Sequence, residues 1–246
     1  MKQGHHPRTH LGRLSMPIAN GVNHLALSTR DMKGQIQFFS EVCGMELMGL
    51  FWMHGTNGAF HCFLKLNDQS YMSFVQTPDM GEKEAVKGVS YASHLVAGAA
   101  PGAFQHVAFN VGTQAELLAL RDRIRRAGYQ VIGTMDHGIC KSIYLNAPEN
   151  IIMEFTSNEG GAELTADMWV DPECARLCGF SQEELDRCLR PAPLELTGGV
   201  VPNPATPRLP LELVPEEVRA TTLALSDEEF SKKMDYTIPP NAAKVA

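Results

Sequence analysis

His24 in NHLALS, His106 in QHVAFN and Glu154 in IIMEFTS are the side chains whose type and setting point to chemistry in this 246-residue sequence. A lone histidine on an apolar strand is usually a core residue with its polar atoms satisfied. Glu154 is harder to place that way. Between Met153 and Phe155 its carboxylate needs a cationic partner or a metal, because an isolated buried anion is very costly. Two neutral imidazoles and one carboxylate on one face of a metal leave three coordination positions open, the arrangement used by non-haem Fe(II) oxygenases.

Bringing those three groups together is a task for the surrounding elements, and the sequence repeats itself in a way that suggests how. NHLALSTRDMKGQIQFFSEVCGMELMGLF reads as a strand, a helix starting near Met32 and a stop at Gly44; QHVAFNVGTQAELLALRDRIRRAGYQVIG reads the same way, with its stop at Gly128. Further short strands follow each, closing on YMSFVQ and IIMEFTS. His24 precedes Ser73 by 49 residues and His106 precedes Glu154 by 48, so Ser73 takes the place of Glu154 in the first repeat. Serine is a poor metal ligand and keeps the fourth side free, where four protein ligands would favour an isomerase-type site. The expectation is an α+β fold of two tandem βαβββ modules, residues 21–77 and 103–157, forming one curved mixed sheet around a metal cleft in a domain spanning 21–158. The small-residue linker between them, which carries His94, would cross the cleft mouth or the surface.

Composition narrows the alternatives. The net charge is −7, and residues 159–246 hold sixteen acidic against eight basic residues, so the body is close to neutral. Arg121, Arg123, Arg125 and Arg126 fall in a helical stretch and read as its solvated face, not as a nucleic-acid stripe. Six cysteines without a CxxC pair fit free thiols in a reducing cytosol. No run of about 18 apolar residues is present, and the N-terminus lacks the apolar stretch of a signal peptide, so a cytoplasmic protein is expected. Residues 1–20 read as an arm. Residues 159–246, with ten of the fifteen prolines, read as an extended acidic Pro-rich tail with helices after Ser181 and around PEEVRATTLALSDEEFSKKM. That tail, or the sheet edges, would join copies into a homo-oligomer; a disordered acidic terminus is the alternative.

The paired modules resemble the vicinal oxygen chelate superfamily (glyoxalase/bleomycin resistance/extradiol dioxygenase), and DHGICKSIYLNAPENIIMEF is similar to the signature of its extradiol ring-cleaving dioxygenases. His137, Ile143, Tyr144, Ala147, Pro148 and Glu154 match that pattern. SHLVAGAAPGAFQHVAF resembles the segment in which one histidine precedes the second iron ligand, which places His94 as the acid/base group and His106 as the ligand. The likeness covers residues 21–157. It departs from the family at Asn150, where glycine is usual, though asparagine tolerates a positive φ. It departs also in having two modules, as single-domain members do, where the familiar enzymes have four. The tail matches no part of it.

This resemblance implies a catechol-type aromatic diol chelating Fe(II), with Mn(II) as a possible substitute, and O2 in the remaining position for extradiol (meta) cleavage. His24, His106 and Glu154 would bind the metal. His94 would accept a proton from the diol and later return one, while Tyr144 and His137 would hold the reacting oxygens. Each of the last three has a plain reading as well: a linker histidine, a core aromatic and a surface-loop histidine. Another metal-dependent enzyme of the superfamily (isomerase, epimerase or thiol transferase) is the nearest alternative, and a non-catalytic protein binding an aromatic drug is a second. Phe51, Trp52 and Phe60 could form an aromatic wall or pack in the core; His54 and His61 read as structure or surface, and His5, His6 and His10 as part of the arm.

Overall fold

Two helices start from side-chain caps and stop at glycines. Asp31 accepts from the Gly34 amide and opens α1 (Met32–Gln37), which runs on as a π-helical turn over Phe38–Val42. Thr113 and Glu116 form a reciprocal capping box that opens α2 (Gln114–Arg126). Gly44 and Gly128 then take left-handed φ values of 85° and 91°, where a side chain would be strained. Both expected stops are therefore the real ones. The computed structural model describes residues 19–53, 56–193, 201–204, 216–233 and 239–241; His5, His6, His10, His54 and most of the Pro-rich run lie outside them.

Around these helices the strands follow the repeat. The first module holds β1 (His24–Ser28), β2 (Leu47–Trp52), β3 (Phe60–Asn67) and β4 (Ser70–Gln76); the second holds β5 (Val107–Asn110), β6 (Ile132–Asp136), β7 (Lys141–Asn146) and β8 (Ile152–Ser157). Strand order is β1-β4-β3-β2 in one sheet and β5-β8-β7-β6 in the other, each with one parallel pair. The α+β class and the tandem βαβββ modules are as the sequence implies. The expected single curved sheet is instead two four-stranded sheets, because among the described residues no strand of one module bonds to a strand of the other.

What joins the modules is the helical side. Phe38, Phe39, Leu64, Met72 and Phe74 of the first module and Phe109, Leu117, Ile124, Ile143 and Met153 of the second form one buried apolar cluster. The rings of Phe38 and Tyr129 meet edge to face at 4.9 Å. Arg123 donates across the modules to the carbonyls of Val42 (2.9 Å) and Glu41 (2.8 Å), and Arg125 within its own module to that of Val131 (2.9 Å). Part of the arginine cluster thus fastens backbone instead of facing only solvent.

A second fastener is the turn before β8. Glu149 accepts from Thr29 Oγ1 at 2.5 Å, the Arg30 amide at 2.9 Å and Gln35 Nε2 at 2.8 Å. It does so at φ 60°, followed by Asn150 at φ 63°. The strain of two non-glycine residues there is offset by the three bonds that Glu149 makes across the modules.

Residues Gly21–Ser181 make up one compact unit. After β8 the chain turns back over the β6–β7 loop: Ala162 N donates to Gly138 O at 2.8 Å, and Asn158 Nδ2 to Ile139 O at 3.1 Å. Two short helices, α3 (Ala166–Trp169) and α4 (Pro172–Leu177), complete this unit. Beyond it the described residues form α5 (Gln182–Leu189), α6 (Glu216–Leu223) and α7 (Asp227–Lys233), at the places where the tail was expected to be helical. No helix among the described residues is long and apolar enough to cross a membrane.

Candidate metal centre

Strand register decides which side chains share the face of each sheet turned away from the helices. On the second sheet Ala108 is opposite Glu154, Glu154 opposite Tyr144, and Thr156 opposite Ser142. With side chains alternating along each strand, Glu154, Tyr144 and Ser142 all project from this outer face. His106, directly before β5, joins them: its Nε2 lies 3.2 Å from Glu154 Oε2. Ser142 Oγ donates to the other carboxylate oxygen, Oε1. Glu154 is only 6% exposed, so its charge is held by a histidine and a hydroxyl in a nearly dry position.

Tyr144 and His137 close the same cluster, with the phenol oxygen 2.9 Å from His137 Nε2. Burial, reinforced by the neighbouring Glu154 charge, pushes the Tyr144 hydroxyl up to about 12. It therefore remains a protonated donor at neutral pH. Backbone holds the His137 turn in place, His137 N donating to Cys140 O at 2.9 Å and Gly138 N to Asp136 Oδ1 at 2.9 Å.

The first sheet carries a different surface on its outer face. His24 is opposite Tyr71, Ala26 opposite Ser73, Ser73 opposite Phe63, and His61 opposite Phe51. Ala26 and Ser73 repeat the Ala108 and Glu154 pairing, so Ser73 does stand where the second module has its carboxylate. His61 Nε2 lies 2.7 Å from the buried Ser73 hydroxyl. Burial, with His24 adding to it, lowers the His61 pKa. Phe51 and Phe63 stack at 5.9 Å beside these imidazoles, and the His24 ring lies 5.3 Å from that of Phe63. Trp52 and Phe60, on the alternate face of their strands, stack on each other at 4.6 Å. Of the three aromatics singled out in the sequence, only Phe51 lines the histidine side.

Within one chain the predicted residues thus fall into two sets. His106, Glu154, Tyr144 and His137 are together; His24 is on the other module's outer face, and no group of three His, Cys, Asp or Glu residues is gathered for a metal among the described residues. The reason is the helical contact between modules, which replaces the edge-to-edge sheet. An imidazole and a shielded carboxylate are suitable donors for a divalent metal, and the second module brings together two of the three residues singled out in the sequence. His94 is exposed in a linker turn, which Gln105 ties down by donating to Leu95 O (3.0 Å) and Ala97 O (3.2 Å). A cavity of about 780 Å³ opens where the modules meet; Gln105 lines it, as does Ile152, two residues before Glu154 on the same strand face.

Several participants escaped the sequence reading. Ser142 is a small polar residue without a pattern of its own, and only the register reveals it. Asn23 and Gln105 left a readable trace, an amide directly before each histidine at the same place in both repeats.

No curated protein matches the chain. Among solved structures, a glyoxylase/bleomycin resistance protein/dioxygenase domain from Frankia sp. EAN1pec is 14% identical, with 56% of this chain and 97% of that chain covered at a TM-score of 0.43. Lactoylglutathione lyase from Agrobacterium tumefaciens is 16% identical, with 58% and 97% covered at 0.41. The fosfomycin resistance protein FosX from Listeria monocytogenes, complexed with Mn(II) and sulfate, is 14% identical, with 56% and 92% covered at 0.38. Residues 21–166, the paired modules and the first turns beyond them, match the family model described as Glyoxalase/Bleomycin resistance protein/Dioxygenase superfamily, and the chain belongs to that superfamily.

Proposed function

We propose that the chain is an Fe(II)-dependent extradiol dioxygenase that cleaves a catechol-type aromatic diol with O2, using His24, His106 and Glu154 as metal ligands. The observation that carries this reading is the cluster on the second sheet. A shielded carboxylate touches one imidazole, and a phenol held protonated beside it is hydrogen-bonded to a second imidazole. The third ligand comes from a second copy of the chain. Its first module presents His24 to the His106 and Glu154 of its partner, which explains why one copy alone does not gather three donors. Such a pairing would also set the Phe51 and Phe63 wall opposite the polar cluster, a combination suited to a flat ring bearing oxygens on one edge.

When bound, the metal supplies Lewis acidity toward the diol oxygens and redox chemistry toward O2. The protein's own groups do the rest. Glu154 keeps its Oε1 engaged by Ser142, so that Oε2 is the oxygen left beside His106. Tyr144 donates its proton as a hydrogen bond to a substrate oxygen, and His137 orients that hydroxyl from behind. His94, on the turn held by Gln105, accepts a proton from the diol and returns one to the product. Both atoms of O2 end in the ring-opened product.

The test is an anaerobic incubation of the Fe(II)-loaded protein with a panel of catechols, followed by admission of oxygen. A yellow ring-fission product, formed with matching oxygen uptake and absent without iron, is the expected result. Tight stoichiometric binding of an aromatic ligand with no oxygen uptake across the panel would overturn the reading in favour of a binding protein.

A further inference from the structure

Asn23 and Gln105 hold equivalent positions in the two modules, each directly before a histidine of the candidate centre, and each contacts that histidine in the same way. Asn23 Oδ1 lies 2.8 Å from His24 Nδ1, and Gln105 Oε1 contacts His106 Nδ1. The orientation of the Gln105 amide is set independently. Its Nε2 is spent on the carbonyls of Leu95 and Ala97, which leaves Oε1 as the end turned to the ring. An amide oxygen only accepts, so the nitrogen facing it must carry the ring proton. In a neutral imidazole the other nitrogen then holds the lone pair; in His106 that atom, Nε2, faces the Glu154 carboxylate, an acceptor that competes for the ring proton until a metal lies between them.

We propose that Asn23 and Gln105 are paired positioning residues, one per module, that lock His24 and His106 as Nδ1–H tautomers and so present Nε2 to a divalent metal. A ring N–H held by an acceptor is the usual companion of a metal-ligating imidazole; here the acceptor is the preceding side chain in both modules. Gln105 has a second task that Asn23 lacks. By holding the carbonyls of Leu95 and Ala97 it couples the His94 turn to the ring of His106, so linker and ligand share one amide. The metal consequence rests on the function proposed above, whereas the tautomers are a property of the metal-free protein, that of His106 once the competing Glu154 carboxylate is removed.

Long-range nitrogen–proton correlation spectra of the full chain, labelled at histidine and free of metal, read each tautomer directly. His24 should be Nδ1–H, and so should His106 in a Glu154→Ala background, where no carboxylate competes for a proton on Nε2. Asn23→Leu should release only His24, and Gln105→Leu, read in that background, only His106, to the Nε2–H form that free imidazole prefers. Asn23→Asp and Gln105→Glu keep an acceptor oxygen and should keep the wild-type tautomers, which separates ring fixing from simple loosening of the fold. In a parallel titration with Mn(II), the leucine variants should bind about 10- to 100-fold more weakly than the wild type. Nε2–H at His24 in the wild type or at His106 in the Glu154→Ala background, or tautomers unmoved in the leucine variants, would overturn the proposal. Tautomers that respond as stated, in a protein whose Glu154→Ala variant binds Mn(II) as tightly as wild type, would instead overturn the metal site and leave the ring fixing in place.

Discussion

Tyr144 is the residue whose surroundings say most about chemistry. Its hydroxyl is bonded to His137, and burial, reinforced by the neighbouring Glu154 charge, raises its pKa from the ordinary 10.0 to about 12. A tyrosine that only filled space would not need a histidine behind its hydroxyl. Tyr144→Phe should therefore leave iron bound and lower kcat by roughly 10²- to 10³-fold, the usual cost of deleting one donor aimed at a reacting oxygen. Iron content and turnover measured on the same preparation check this. Unchanged turnover would reduce Tyr144 to a packing role. Ser73 makes the complementary point: the first module has no carboxylate at the matching position, so its outer face is a histidine and aromatic surface, and the carboxylate of the proposed centre lies in the second module.

At the scale of elements, the turn that carries Glu149 and the cap that starts α2 are where single changes should be felt as stability. Glu149→Ala removes the acceptor for Thr29, Arg30 and Gln35 and should cost about 2 kcal/mol or more in urea unfolding, hydrogen bonds to charged groups being the stronger kind. Thr113→Ala deletes one half of the α2 capping box and should cost about 1 kcal/mol. Most of these elements were legible in advance. The helix starting at Met32, the stops at Gly44 and Gly128, and the positive φ at Asn150 each follow from a local residue type with a local reason. The contact between modules was not legible. Apolar periodicity tells which face of α1 or α2 is buried, but Phe38 against Tyr129 and Arg123 against the Val42 carbonyl are long-range pairings that no local pattern encodes. For the same reason Glu154 could be picked out as a carboxylate needing a partner, while its hydroxyl partner Ser142 could not.

For the whole molecule, burial separates the thiols into two groups, and pH should expose the difference. Cys43 is pushed up to about 12 and Cys62 to about 11 by burial, from an ordinary value of 9.0. Both stay protonated in the folded chain while the unfolded chain begins to ionise near pH 9, so stability should hold below that pH and fall as it rises toward 11. A thiol reagent should label Cys174, Cys178 and Cys188, all exposed, fastest in the native protein, the half-buried Cys43 more slowly, and the buried Cys62 only after unfolding. The larger claim at this scale is that a metal centre is built between two copies, His24 from one and His106 with Glu154 from the other. Iron content of His24→Ala, of Glu154→Ala and of the two proteins unfolded, mixed in equal amounts and refolded together tests it most directly. Each variant alone should hold no iron. In a twofold pair, half of the mixed molecules are heterodimers, each with one intact site and one doubly mutated site, so the mixture should regain about a quarter of the wild-type iron. A mixture that forms heterodimers yet stays free of iron, or a single variant that keeps the wild-type content, would contradict the account.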